Sequence, residues 1–164
     1  MLCRAIFLSV FVIWTMSLGV ALRAEDVFAW KTDEAAGTAD LMYGDQPVIR
    51  YMFAYDTSSD QNKHDTYKVF HHVFGPASGQ QITKGPGGKY THHRGMFVGW
   101  NKTSIGDGKQ YDFWHCKNGA HLRHIKFLQQ AANADHGTMT AEIHWNDPDG
   151  KPVIRELRTV DVRR

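Results

Sequence analysis

Cysteine is scarce in this chain. Two thiols stand in 164 residues, Cys3 and Cys116. Cys3 falls in an N-terminal segment laid out like a cleaved export signal, so no internal disulfide can staple the fold. Cys116 is then a lone thiol, for which burial is the common fate. An excess of one charge is also missing. The formal net charge is +2, and without Arg4 and Arg23 the chain carries 17 basic against 17 acidic residues. Such a balance gives no footing for an electrostatic nucleic-acid binder. Beyond residues 5–22 no stretch is apolar enough to span a bilayer. There is no internal repeat, and no segment has a convincing amphipathic helical period.

The one long apolar run explains itself. Arg4 precedes the uncharged run AIFLSVFVIWTMSLGVAL, and Ala21 and Ala24 offer small residues for cleavage. This predicts a secretory signal peptide over residues 1–24 and a secreted or periplasmic protein. An uncleaved anchor is the alternative for a run of this length. Residues 25–40, polar and rich in small side chains, read as a leader into the fold.

The rest reads as strands. Residues 41–43 and 48–55 flank the turn GDQP; TYKVFHHVF and MFVGW are β-rich. DTSSDQNKHD reads as a solvated loop, and HLRHIKFLQQAAN fits a strand or a helix. The clearest hairpin is TMTAEIHW–NDPDGK–PVIRELRTV, with Asp-Pro and Asp-Gly in its turn. Short strands with Gly, Pro and Asp turns predict an all-β sandwich or barrel. The chain ends within or just after a strand, which suggests the N-terminal part of a longer domain.

Histidine is what the sequence has in plenty: ten, all between His64 and His144. Two meet an arginine in GPGGKYTHHRG, residues 85–95. The phosphate-loop pattern fails here, because Tyr90 follows Gly88-Lys89 and Thr83 stands where the first glycine belongs. The dinucleotide pattern fails at Tyr90 as well. What remains is a flexible loop able to bring backbone close to a ligand. His92, His93, His115 and Asp112 are candidate acid/base groups, with Asp112 placed to orient His115. Arg94 suits a carboxylate, and Trp100 and Trp114 suit the face of a sugar ring. His71 and His72 are further candidates for binding. No metal motif has diagnostic spacing, and no carboxylate pair suggests a glycosidase. Trp30, Trp145, Phe70, Phe74 and Phe113 read as core.

The run HHVFGPASGQQITKGPGGKYTHHRGMFVGWNKT, followed by YDFWH, resembles the bacterial PmoA-like family of exported proteins. The resemblance spans residues 43–158. It implies a β-sandwich similar to the galactose-mutarotase-like supersandwich, reaching past Arg164, with residues 41–164 its N-terminal part. It also points to His92, His93, Arg94, Asp112, Trp114, His115 and one of His71 or His72. A true membrane methane monooxygenase is at odds with the single apolar run. Three functions follow as expectations: a carbohydrate-active enzyme (a lyase, epimerase or hydrolase) using histidine acid/base groups, a non-catalytic glycan-binding or interaction module, or a histidine-ligated metalloprotein. A common site requires His92 or His93, His115 and one of His71 or His72 to converge.

Overall fold

A computed structural model of the chain describes residues 26–164. The predicted signal segment, residues 1–24, lies outside the described residues. Among the described residues, seven strands form two antiparallel sheets. The first has the order β1 (Phe28–Asp33), β2 (Thr38–Tyr43), β3 (Gln46–Met52), β4 (Phe70–Val73). The second has the order β5 (His121–Ala132), β6 (His136–Asn146), β7 (Pro152–Arg163). This is an all-β, sandwich-like fold with the core between the sheets.

β6 shows why. Met139, Ala141, Ile143 and Trp145 alternate along it and are at most 1% exposed. They meet Ala39 and Tyr51 of the first sheet, together with Phe53, Val69, Tyr111 and Phe113. Each large apolar side chain buried this way contributes about 1.5–3 kcal/mol. A second cluster of Phe28, Leu41 and Ile49 packs under Val160 and Val162 of β7. The Trp30 indole N–H bonds the carbonyls of Thr138 at 3.0 Å and Ala131 at 3.2 Å, tying β1 to the opposite sheet.

The β6–β7 hairpin closes as its sequence predicts. Asp147 Oδ1 accepts from the amides of Asp149 and Lys151, and Gly150 takes a positive φ of 82°. Three expectations need correction. The supposed leader is structured: it forms β1 and the start of β2, paired from Phe28↔Tyr43 to Asp33↔Thr38. Its period is hard to see because Phe28 alone is buried on β1. The supposed loop DTSSDQNKHD contains a helix, α1 (Asp60–Thr66). Its stability comes from its ends rather than an apolar face: the Ser59 hydroxyl caps the Asn62 amide at 3.1 Å, and no residue of α1 is buried. MFVGW is not a strand. Only Met96 pairs, with His71.

Between β4 and β5 the chain runs through residues 74–120 with almost no regular structure. Two glycines explain its course. A Cβ on Gly95 would lie 2.2 Å from the His71 carbonyl oxygen, and one on Gly99 would lie 2.6 Å from that of Phe113. Backbone presses on backbone at both places, as only glycine allows.

Candidate functional site

The glycine loop is a closed ring. The Gly85 amide donates to the Arg94 carbonyl at 2.7 Å, and the His93 amide donates to Tyr90 at 3.1 Å. His92 and His93 therefore sit on a turn rather than an extended strand, so opposite-facing side chains are not imposed. Their rings meet edge to face at 4.2 Å.

Residues 111–116 approach from the other side. Asp112 Oδ1 accepts the His115 amide at 2.8 Å, and Oδ2 stands 2.8 Å from His115 Nδ1. One carboxylate thus fixes both the turn and the ring. With Nδ1–H donating to Asp112, His115 keeps Nε2 as a free acceptor. The His115 ring lies 4.5 Å from that of His92. Trp114 supports the pair, 5.8 Å from His93 and 6.3 Å from His92. Burial is the largest influence on Asp112 and pushes its pKa up. The hydrogen bonds from His115 outweigh it, and the carboxyl ends below its ordinary range. His92 is held below the usual histidine value, first by partial burial, then by repulsion from His93, His115 and Lys68.

His92 and His115 line a cavity of about 440 Å³, with His64, His121, Tyr55, Tyr67, Cys116 and Lys117 among its walls. His121 gives Nδ1 to the Gly119 carbonyl at 3.0 Å and stacks on Tyr55 at 4.6 Å, 9° from parallel. Four imidazoles thus face one space. Cys116 reaches it in the left-handed conformation, φ 54° and ψ 46°, a strained position for a residue with a side chain. Burial pushes its thiol up to about 12, so it is no nucleophile at neutral pH. His115 also lines a neighbouring cavity of about 660 Å³, with Asp112 on that second wall, and so borders both spaces.

The expected site is therefore assembled in part. His92, His93, His115, Asp112 and Trp114 come together. Arg94 does not serve a ligand. It is fully buried, its guanidinium bonding the carbonyls of His64, Asp65 (2.5 Å) and Thr91 (3.2 Å) while lying 4.0 Å over the Tyr67 ring. His71 and His72 fall outside. The His71 ring stacks on Tyr51 at 4.7 Å in the core. His72 Nδ1 meets the Thr83 hydroxyl at 2.8 Å, with its ring against Gly85. The convergence required of one of them fails, because adjacent β4 positions point to the core and to the underside of the glycine loop. Trp100 is 57% exposed and packs on Trp145, away from the histidines. Among the described residues, no three His, Cys, Asp or Glu side chains are grouped to hold a metal ion.

Sequence reasoning missed His64, Tyr55, His121 and Lys68. Lys68 carried a signal, as the one charge within the buried run Tyr67, Val69, Phe70.

The fold and site define an all-β protein with a histidine cluster on the wall of a cavity. The chain belongs to a family of unknown function, DUF6807, whose model matches residues 38–164. No curated protein and no solved structure matches it.

Proposed function

We propose that the protein is an exported, sugar-directed enzyme that moves a proton between neighbouring atoms of its ligand. One observation carries this: Asp112 orients His115, and the His115 ring lies 4.5 Å from His92 on the wall of a cavity. Two imidazoles this close serve atoms that are themselves close. Opening a sugar hemiacetal has that requirement, since the hydroxyl that loses a proton and the ring oxygen that gains one share a carbon. His115 Nε2 takes the proton, and its imidazolium is stabilised by Asp112. His92 acts from its protonated form, whose lowered pKa makes it the stronger acid, and delivers that proton to the ring oxygen; ring closure returns the protons to His115 and His92 in reverse. The choice of a sugar rests on the PmoA-like resemblance, which implies a mutarotase-like sandwich, and on the histidine- and tyrosine-lined walls. Export rests on the predicted signal segment.

The test is polarimetry of freshly dissolved α-D-glucose and α-D-galactose. The protein should speed equilibration, and His115→Ala and His92→Ala should each lose about 10²-fold or more. Equilibration no faster than buffer, or variants equal to the parent, would refute the reading. Sugar binding without acceleration would leave a binding module.

A further inference from the structure

Two cations lie sealed behind the histidine cavity. Lys68 is 1% exposed and Arg94 is 0% exposed. Lys68 Nζ donates to the Trp114 carbonyl, lies 3.9 Å from the centre of the Phe97 ring and stands 5.5 Å from that of Tyr67. Arg94 covers the same Tyr67 ring at 4.0 Å. Among the described residues, no carboxylate oxygen comes within 4.0 Å of either cation. The nearby acids are already engaged: Asp112 with His115, and Asp65 with Gln61 and His64. At the rim, Lys63 and Lys117 face one acid, Asp60.

Two buried cations that repel each other, with Asp112 and Asp65 acting on them only from beyond 4.0 Å, destabilise the empty protein. Burial first, with repulsion from Arg94 behind it, brings the Lys68 pKa down to about 8, against upward pulls from Cys116 and Asp112. Such an arrangement gains from an anion that arrives with the ligand, because a charge in a poorly solvated site acts strongly over short distances.

We propose that the cavity takes an anionic sugar, its carboxylate drawn between Lys63 and Lys117 in the field of Lys68 and Arg94. The sugar in this proposal rests on the proton-transfer reading; the anion does not. Lys117 adjoins His115 by two positions on the same turn, so a carboxylate there holds the ring against the imidazoles. The buried pair acts through the field and touches no ligand.

The experiment follows the imidazole resonances of His92 and His115 in the full chain during titration with D-glucuronate, D-glucose and acetate. Glucuronate should shift both at concentrations at least tenfold lower than glucose, with an affinity that falls as salt is added. Lys68→Met, checked for folding by its amide spectrum, should narrow the preference for glucuronate over glucose by about tenfold. Lys117→Gln, on the exposed rim, should narrow it several-fold and serves if Lys68→Met does not fold. Glucuronate binding no tighter than glucose, or a preference unchanged in both variants, overturns the proposal, as does a failure of glucuronate to bind. Acetate binding without glucuronate binding overturns the sugar acid. The two readings fail separately. Polarimetric activity without an anion preference ends this proposal alone, and an anion preference without activity ends only the proton-transfer reading.

Discussion

In the β5–β6–β7 sheet the backbone polar groups are satisfied by ladders that run from His121↔Asn146 to Ala132↔Gly137, and from His136↔Arg163 to Asn146↔Pro152. In residues 74–120, among the described residues, three isolated bridges stand in for a ladder, pairing Met96 with His71, Gln81 with Phe74, and Thr103 with Tyr111. Single backbone bonds, such as Gly85 to Arg94 and Phe113 to Trp100, and side chains do the rest. Arg94 gathers carbonyls from residues 64, 65 and 91, and Asp112 holds the His115 amide. A ladder is indifferent to most substitutions, since every residue has the same backbone groups. A side-chain hub concentrates stability in a few residues, and in exchange leaves the backbone free to present histidines from a turn.

The largest effect follows from that difference. Arg94→Met leaves three carbonyls without their donor and removes the cation from Tyr67. It should lower stability by about 3–5 kcal/mol, read from urea midpoints. Arg94→Lys should recover little, because one ammonium cannot reproduce the fork. A loss below about 1 kcal/mol would mean that the loops hold themselves without a hub.

The two kinds of glycine come next. At Gly95 an added Cβ meets the backbone oxygen of His71 at 2.2 Å; at Gly137, in β6, it meets the Leu41 side chain at 2.3 Å. Backbone cannot swing aside, whereas a leucine can change rotamer. Gly95→Ala should therefore cost about 3 kcal/mol and Gly137→Ala about 1–2 kcal/mol. Equal midpoints would show that the sheet is as intolerant as the loop.

Lys68→Met reverses the sign. It removes a buried ammonium, keeps the volume and leaves only the Trp114 carbonyl unpaired. The empty protein should gain about 1–2 kcal/mol. A destabilised variant would show that Lys68 is a structural post.

What was legible in the sequence follows the same division. Alternation along residues 138–145 and Asp-Pro with Asp-Gly at 147–150 display the β6–β7 hairpin, because a ladder writes its period into the chain. β1 escaped, since an edge strand with Phe28 as its one buried side chain has no period to show. α1 escaped because its signals are terminal, with Ser59 at its cap and Asp60 in its first turn. At the site, the dense motifs THHRG and YDFWH gave His92, His93, Asp112, Trp114 and His115. Arg94 was misread as a ligand group: nothing local reveals that carbonyls some 30 positions earlier surround it. His71 and His72 were misplaced for a related reason, since density of histidine says nothing about which face of β4 each one takes.

His71 sits on the seam between the two regions. Its backbone pairs with Met96 of the loop segment, and its ring stacks on Tyr51 of the sheet. Its Nε2 is buried without a partner. Burial first, then the charge of Arg158, press its pKa down to about 3, against a lesser upward pull from the Met96 backbone. The unfolded chain binds a proton at this residue near pH 6.5, while the folded chain refuses it until about 3. Stability is therefore fully present above 6.5 and is lost as pH falls towards 3. Between about pH 7 and 5.5 this one histidine should account for a loss of about 1 kcal/mol. His71→Phe keeps a ring against Tyr51 and removes the titration, so its urea midpoint should fall by that much less over the same interval. His124, brought down to about 4 by burial alone, supplies a similar slope in both proteins and so cancels in the comparison. If the parent and the variant lose the same stability between the two pH values, His71 takes up its proton in the folded state, and the seam admits water that the rest of the core excludes.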